Sequence, residues 1–231
     1  MNTTVAAANS RGRVSVVALE TIERSGLLKP VSVVRYTRQV PASAGPDEAR
    51  ETVLEACRVI LADPENRDGD HPRVVVSSTA YGSALYEMLY EDGRTGRVRP
   101  LMPRKPLGIS SYVTSLDPRV EKVAPNRLAG ALYTAFKSGR VEFADGLTKL
   151  RAQMGAFVPV ETKSGSLAFG NEDMSDYDHA VVALMLAVIA AGNRGYGEYR
   201  YEDSSGDVWL SKAMAVARRG GSEGFTFGAR P

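Results

Sequence analysis

Three observations predict an α/β protein built on one mixed sheet flanked by helices. Residues 72–82, PRVVVSSTAYG, set a run of β-branched side chains in front of small hydroxyl residues, a turn and a helix, the pattern of a strand covered on both faces. Residues 45–63 place Ala49, Val53, Ala56, Cys57, Ile60 and Leu61 at helical spacing. Residues 13–22 and 30–40 are rich in β-branched side chains and flank a Ser25-Gly26 turn, which predicts two antiparallel strands. Ligands of open α/β sheets gather where strands end at their carboxyl side, so chemistry is expected near Ser77.

Taken in order, the chain opens with a polar start, MNTTVAAANSRG, read as a flexible segment over residues 1–12. The two strands and the helix named above follow, with Pro46 suited to a first helical turn. The polar loop 64–72 leads to the central strand. A helix over 83–91 and a strand over 97–102 come next. Residues 103–120 offer Pro, Gly and Ser without a period, and a loop of that length in a compact domain is usually functional or mobile. A helix over 126–138 ends at Gly139, a short strand covers 140–144, and Asp145 is expected to cap a helix over 146–157. Residues 158–169, split by Ser164-Gly165, alternate as a hairpin. The most apolar helix covers 176–191 and stops at Gly192. Beyond it the composition turns to Gly, Tyr and charge. A helix is expected over 207–219, bearing Trp209, Met214 and Val216.

A chain of 231 residues with 43% hydrophobic content can bury a full core, and its length suits one domain with appendages. Twenty-nine basic residues against 27 acidic ones give a formal charge of +2, so the overall balance neither requires nor excludes a polyanionic partner. The single cysteine, Cys57, rules out an internal disulfide and leaves a structural zinc site without ligands. It is read as a buried, reduced thiol. No apolar run reaches the ~18 residues of a membrane span, and the start has no secretory signal pattern, which predicts a soluble protein of a reducing compartment.

The order of elements, a hairpin, a helix, a strand with a tight turn, a helix, a strand, two helices, a hairpin and a last helix, is that of a ribonuclease H-like fold. Local sequences carry the likeness further. Val17-Ala18-Leu19-Glu20, Val75-Val76-Ser77-Ser78-Thr79-Ala80-Tyr81-Gly82 and Tyr177-Asp178-His179-Ala180-Val181-Val182-Ala183 are similar to patterns of the form V-A-L-D, V-V-D-x-T-G-x-G and H-D-D-L-V-x-A. Residues 137–143, KSGRVEF, are similar to a helix end followed by S-G-R-L-x-I, and residues 150–157 loosely resemble an E-L-x-x-F helix. From about residue 13 to residue 192 the chain thus resembles the nuclease domain of the large terminase subunit of tailed bacteriophages. Residues 193–231 form a C-terminal extension, whose 207–219 stretch is either a docking helix for another subunit or packs back on its own domain. The ATPase motor of a full-length terminase has no counterpart, because no G-x-x-x-x-G-K-S/T loop occurs.

The resemblance implies a two-metal phosphodiesterase site, with Mg²⁺ or Mn²⁺ ions roughly 4 Å apart held by convergent carboxylates. Those acids would stand at the end of the first strand, the end of the central strand and the start of the last helix. Glu20 fills the first place with one methylene more than Asp. Ser77 replaces the second acid. Asp178 matches the third, and His179 replaces the Asp beside it. Asp176, Glu172 and Asp173 are the acids near enough in sequence to compensate. The strand over 13–22 is accordingly expected beside residues 73–77, with Asp178 facing their ends.

Each residue also has a plain structural account. Glu20 suits a solvated strand end, Asp176 and Asp178 suit helix capping after Ser175, and His179 suits a hydrogen-bonded structural role. Ser77, Ser78 and Thr79 suit a turn, as no G-x-S-x-G elbow surrounds them. Arg94, Arg97, Arg99, Arg104 and Lys105 form a stretch without an intervening acid that either follows a phosphate backbone or is a solvated loop.

The resemblance therefore implies a catalytically degenerate relative of the terminase nuclease, needing no cofactor. It would bind double-stranded DNA or a packaging or virion protein, in the host cytoplasm or the phage particle and away from membranes. The alternative is an active endonuclease with a rearranged acid cluster, dependent on Mg²⁺ or Mn²⁺. A third reading is a pure interaction module.

Overall fold

The computed structural model describes residues 2–10, 13–23, 30–41, 43–62, 72–77, 82–95, 102–103, 107–109, 121–123, 125–161, 167–171 and 179–191. Strands β1 (Asn2–Ser10), β2 (Arg13–Ile22) and β3 (Val31–Val40) lead to helix α1 (Pro46–Leu61), strand β4 (Arg73–Val76) and helix α2 (Gly82–Thr95). Short strands β5 (Met102–Pro103), β6 (Leu107–Ile109) and β7 (Glu121–Val123) precede α3 (Pro125–Lys137), β8 (Val141–Phe143) and α4 (Thr148–Ala156). The hairpin β9 (Phe157–Glu161) and β10 (Leu167–Asn171) is followed by α5 (His179–Ala190).

The main sheet has six strands in the order β5-β4-β1-β2-β3-β8. β1 pairs antiparallel with β2, β2 antiparallel with β3, and β1 parallel with β4; β5 and β8 extend the sheet in parallel. An antiparallel meander whose first strand is also the parallel neighbour of β4, with helices on both faces, is the ribonuclease H-like arrangement.

Residues 1–12 were expected to be flexible, yet they contain β1, which lies between β2 and β4. The Ala-rich sequence gives little strand signal of its own. Position supplies the stability: Val5, Ala6, Ala7 and Ala8 are all at most 2% exposed, paired on both sides and covered above and below. The expected adjacency of residues 13–22 to residues 73–77 therefore fails, because β1 occupies that place.

Alternation along the strands divides the core in two. Ala6, Ala8, Val17, Leu19, Val34 and Val75 face α3, α4 and α5. Val5, Ala7, Val14, Val16, Ala18, Val74 and Val76 face α1 and α2. Helix α5 is buried along almost its whole length, as its continuous Ala, Val, Leu and Met content predicts. On β1 the small side chains of Ala6 and Ala8 belong to the same core as this helix.

Local chemistry sets several ends. Pro46 opens α1, Asp47 and Glu48 stand in its first turn and Arg58 in its last, in accord with the helix dipole. Helix α3 closes in a Schellman turn: the Arg140 N–H donates to the Ala135 carbonyl at 2.8 Å and the Gly139 N–H to the Phe136 carbonyl at 2.9 Å. Gly139 takes the left-handed conformation this turn needs, with φ of 65°. Asp145 does not cap α4; Leu147 is the N-cap, no side chain bonds there, and Gly146 at φ 83° turns the chain first. Within the loop expected over 103–120, β6 pairs in parallel with β7. The predicted strand over 97–102 keeps only its last residue as described strand. Residues 176–178 and the expected helix over 207–219 lie outside the described residues.

Candidate active site and its remnants

The carboxyl ends of β1 and β4 lie side by side. The register pairs Ala6 with Val75 and Ala7 with Val76, and the Ser77 N–H donates to the Ala7 carbonyl at 2.9 Å. One residue further along, this parallel register sets Ser77 beside Ala8. Both are buried, and alternation turns both toward the face that α5 covers. This pair of positions carries a methyl group and a hydroxyl and no carboxylate. Hard divalent cations need several carboxylate oxygens, which neither residue supplies. Ala8 was missed in the sequence because its strand was missed. The signal available was the apolar run VAAA ahead of Asn9.

Glu20 is elsewhere. It pairs with Thr3, five residues before Ala8 along β1, which at about 3.3 Å per residue is roughly 16 Å from the Ser77 end. It also follows Ala18 in the alternation, so its side chain is on the α1 and α2 face rather than the α5 face. Glu20 is therefore corrected from a remnant catalytic acid to a buried charge at the opposite end of the sheet. Its carboxylate is 1% exposed, and its Oε2 accepts a bond from Arg35 Nε at 3.1 Å. The register of β2 and β3 slips between Ala18 and Leu19, so Arg35 is an extra residue in β3 and the resulting bulge brings it to Glu20. Nor is Glu20 the solvated charge of its plain account. Glu20 Oε1 and the Thr3 hydroxyl opposite have no hydrogen-bond partner among the described residues.

His179 opens α5 and is 3% exposed. Asp176 and Asp178 lie outside the described residues, as do Glu172 and Asp173. Of the basic stretch, Arg94 is placed only as a position in the last turn of α2, while Arg97, Arg99, Arg104 and Lys105 are outside the described residues. Among the described residues no group of three or more His, Cys, Asp or Glu side chains is placed to hold a metal ion. The residues present at the strand ends do not fit a two-metal centre. Cys57 is buried in α1, and that burial pushes its thiol up to about 12. No described helix is long and apolar enough to cross a membrane.

The fold is similar to solved nucleases. Over 81% of this chain and 80% of the other, it superposes on the large terminase nuclease from thermophilic phage G20c with bound magnesium, with a TM-score of 0.49 and 14% identity. The cobalt-bound form of that nuclease gives 0.49 and 13% over the same shares. RuvC of Thermus thermophilus is matched over 85% of this chain and 98% of its own length, with a TM-score of 0.38 and 10% identity. No protein-family model and no curated protein matches the sequence.

Proposed function

We propose that this chain is a catalytically degenerate relative of the terminase nuclease domain, serving as a DNA-binding or protein-interaction component of a phage packaging machine or virion. One observation carries the reading: the adjoining carboxyl ends of β1 and β4 present Ala8 and Ser77 where a two-metal site needs carboxylates. A hydroxyl cannot replace the charge that would hold a pair of dications against their hydration. The loss is now two strand-end acids, since Glu20 belongs to the other end of the sheet.

The second reading, an active Mg²⁺- or Mn²⁺-dependent endonuclease, would have to draw its acids from Glu172, Asp173, Asp176 and Asp178. It keeps a foothold because these residues lead directly into α5, the helix covering the Ala8 and Ser77 face.

The test is plasmid cleavage by the purified natural protein in Mg²⁺ and in Mn²⁺. The expected result is intact supercoiled plasmid. Robust Mn²⁺-dependent cleavage that Asp178→Ala abolishes would overturn the degenerate reading in favour of the second.

A further inference from the structure

The arginines facing or flanking α1 are neutralised. Arg38 pairs with Glu55, Arg50 with Glu51 at 2.8 Å, with Asp92 at 3.5 Å and with Asp47 at 3.8 Å, and Arg58 with Glu51 at 3.9 Å. The corner built by the end of α3, strand β8 and the start of α4 is different. Over residues 137–151 four cations, Lys137, Arg140, Lys149 and Arg151, stand against Glu142 and Asp145. Val141 and Phe143 face the α3 and α5 core, so alternation sends Glu142 between them to the other side of the sheet. Lys137, Lys149 and Arg151 are exposed, and among the described residues none of them is in an ion pair.

Two of these cations are held in place without being neutralised. Lys137 Nζ sits 5.7 Å from the Tyr133 ring centre, and the Arg151 guanidinium 5.9 Å from that of Phe143. Phe143 stacks in turn on Phe136 at 5.6 Å and 15°. Resting a long side chain on a ring restricts its rotamers before any ligand arrives, which lowers the ordering cost of binding an anion. Lys149 stands in the first turn of α4, a helix with no acid in that turn and no side-chain cap. A cation there adds to the positive end of the helix dipole, and an external anion would answer both.

We propose that this α3–β8–α4 corner is a contact surface for the phosphate backbone of duplex DNA. The rings of Phe136 and Phe143 are occupied by each other and by Arg151, which leaves no open ring pair to stack unpaired bases and favours backbone contact over single-strand capture. The surface is set apart from the Ser77 end: β8 is the outer neighbour of β3, and β2 and β1 intervene before β4. The inference rests on the proposed function, from whose two arms it selects DNA.

The experiment measures binding of a short blunt duplex by the full chain, by fluorescence anisotropy, between about 50 and 200 mM salt. The natural chain is expected to bind with an affinity that falls steeply with salt. Lys137→Gln and Lys149→Gln should each reduce the slope of log Kobs against log salt by about 0.9, and the double variant by about 1.8. Arg38→Gln, which removes a cation already paired, should leave the slope unchanged. Both lysines are exposed, and an unchanged thermal midpoint verifies folding.

An unchanged slope in the folded double variant overturns the surface while leaving DNA binding by another region standing. No binding by the natural chain overturns both the surface and the DNA arm, without touching the degeneracy of the strand ends. Equal binding of polyglutamate, with the same slopes, would replace DNA by an acidic protein as the partner.

Discussion

Glu20 and Arg35 illustrate how a single charge is decided by its surroundings. A carboxylate that is 1% exposed depends on its partner, whereas Arg35 keeps 32% of its side chain in water. Arg35→Ala should therefore cost about 3 kcal/mol, the low end for stranding a buried charge, and Glu20→Gln only about 1 kcal/mol. Urea unfolding of the two variants compares them; a larger loss in Glu20→Gln would mean that the carboxylate has other duties. Cys57 gives a second residue-scale expectation. Burial raises its pKa from an ordinary 9.0 to about 12, so over that window the unfolded chain has released a proton that the folded chain retains. Stability must then fall as pH rises from 9.0 and level off above about 12, by at most about 1.4 kcal/mol per pH unit from this group. Cys57→Val should flatten that alkaline decline, and the native thiol should resist a disulfide-exchange reagent until the protein is unfolded.

At the scale of elements, the end of α3 is the clearest case of sequence acting locally. Gly139 has a φ of 65° and no heavy atom within 4 Å of where a Cβ would stand, so Gly139→Ala meets no clash. Its cost is the backbone conformation alone, about 1 kcal/mol. A melting curve showing no loss would mean the turn relaxes out of the left-handed region. The Gly-ended helix, the Pro46 start and the apolar α5 could all be read from residues because each depends on neighbours three to five positions away. The misplaced cap at Asp145 shows the limit of such reading. An acid ahead of a helical stretch suits an N-cap, but Gly146 turns the chain at φ 83° and the helix begins two residues later than expected.

For the whole molecule, β1 is decisive. It joins the antiparallel meander to β4, so removing it separates the two halves of the sheet and strips cover from α5 and α1 at once. Deletion of residues 1–10 is expected to abolish cooperative unfolding, followed by circular dichroism against urea. A truncated chain with the natural midpoint would refute the central place given to β1. The same strand converts the functional question. Once it is in position, the two adjoining strand ends are Ala8 and Ser77, and Glu20 no longer contributes to them.

The sequence by itself determined the α/β class, the helices α1, α3 and α5, the β2–β3 hairpin, the buried strand β4 and the absence of an acid at Ser77. Periodicity, turn residues and β-branched runs are local properties that survive in any context. The tertiary structure alone decided that an Ala-rich N-terminal segment is the middle strand and that Glu20 is buried against Arg35 at the far end of the sheet. It likewise decided that Lys137 and Arg151 rest on rings while α1's arginines are paired. Those outcomes depend on which strands become neighbours and on which face each side chain then takes. Residues five apart on one strand cannot show in sequence which end of the sheet they will share.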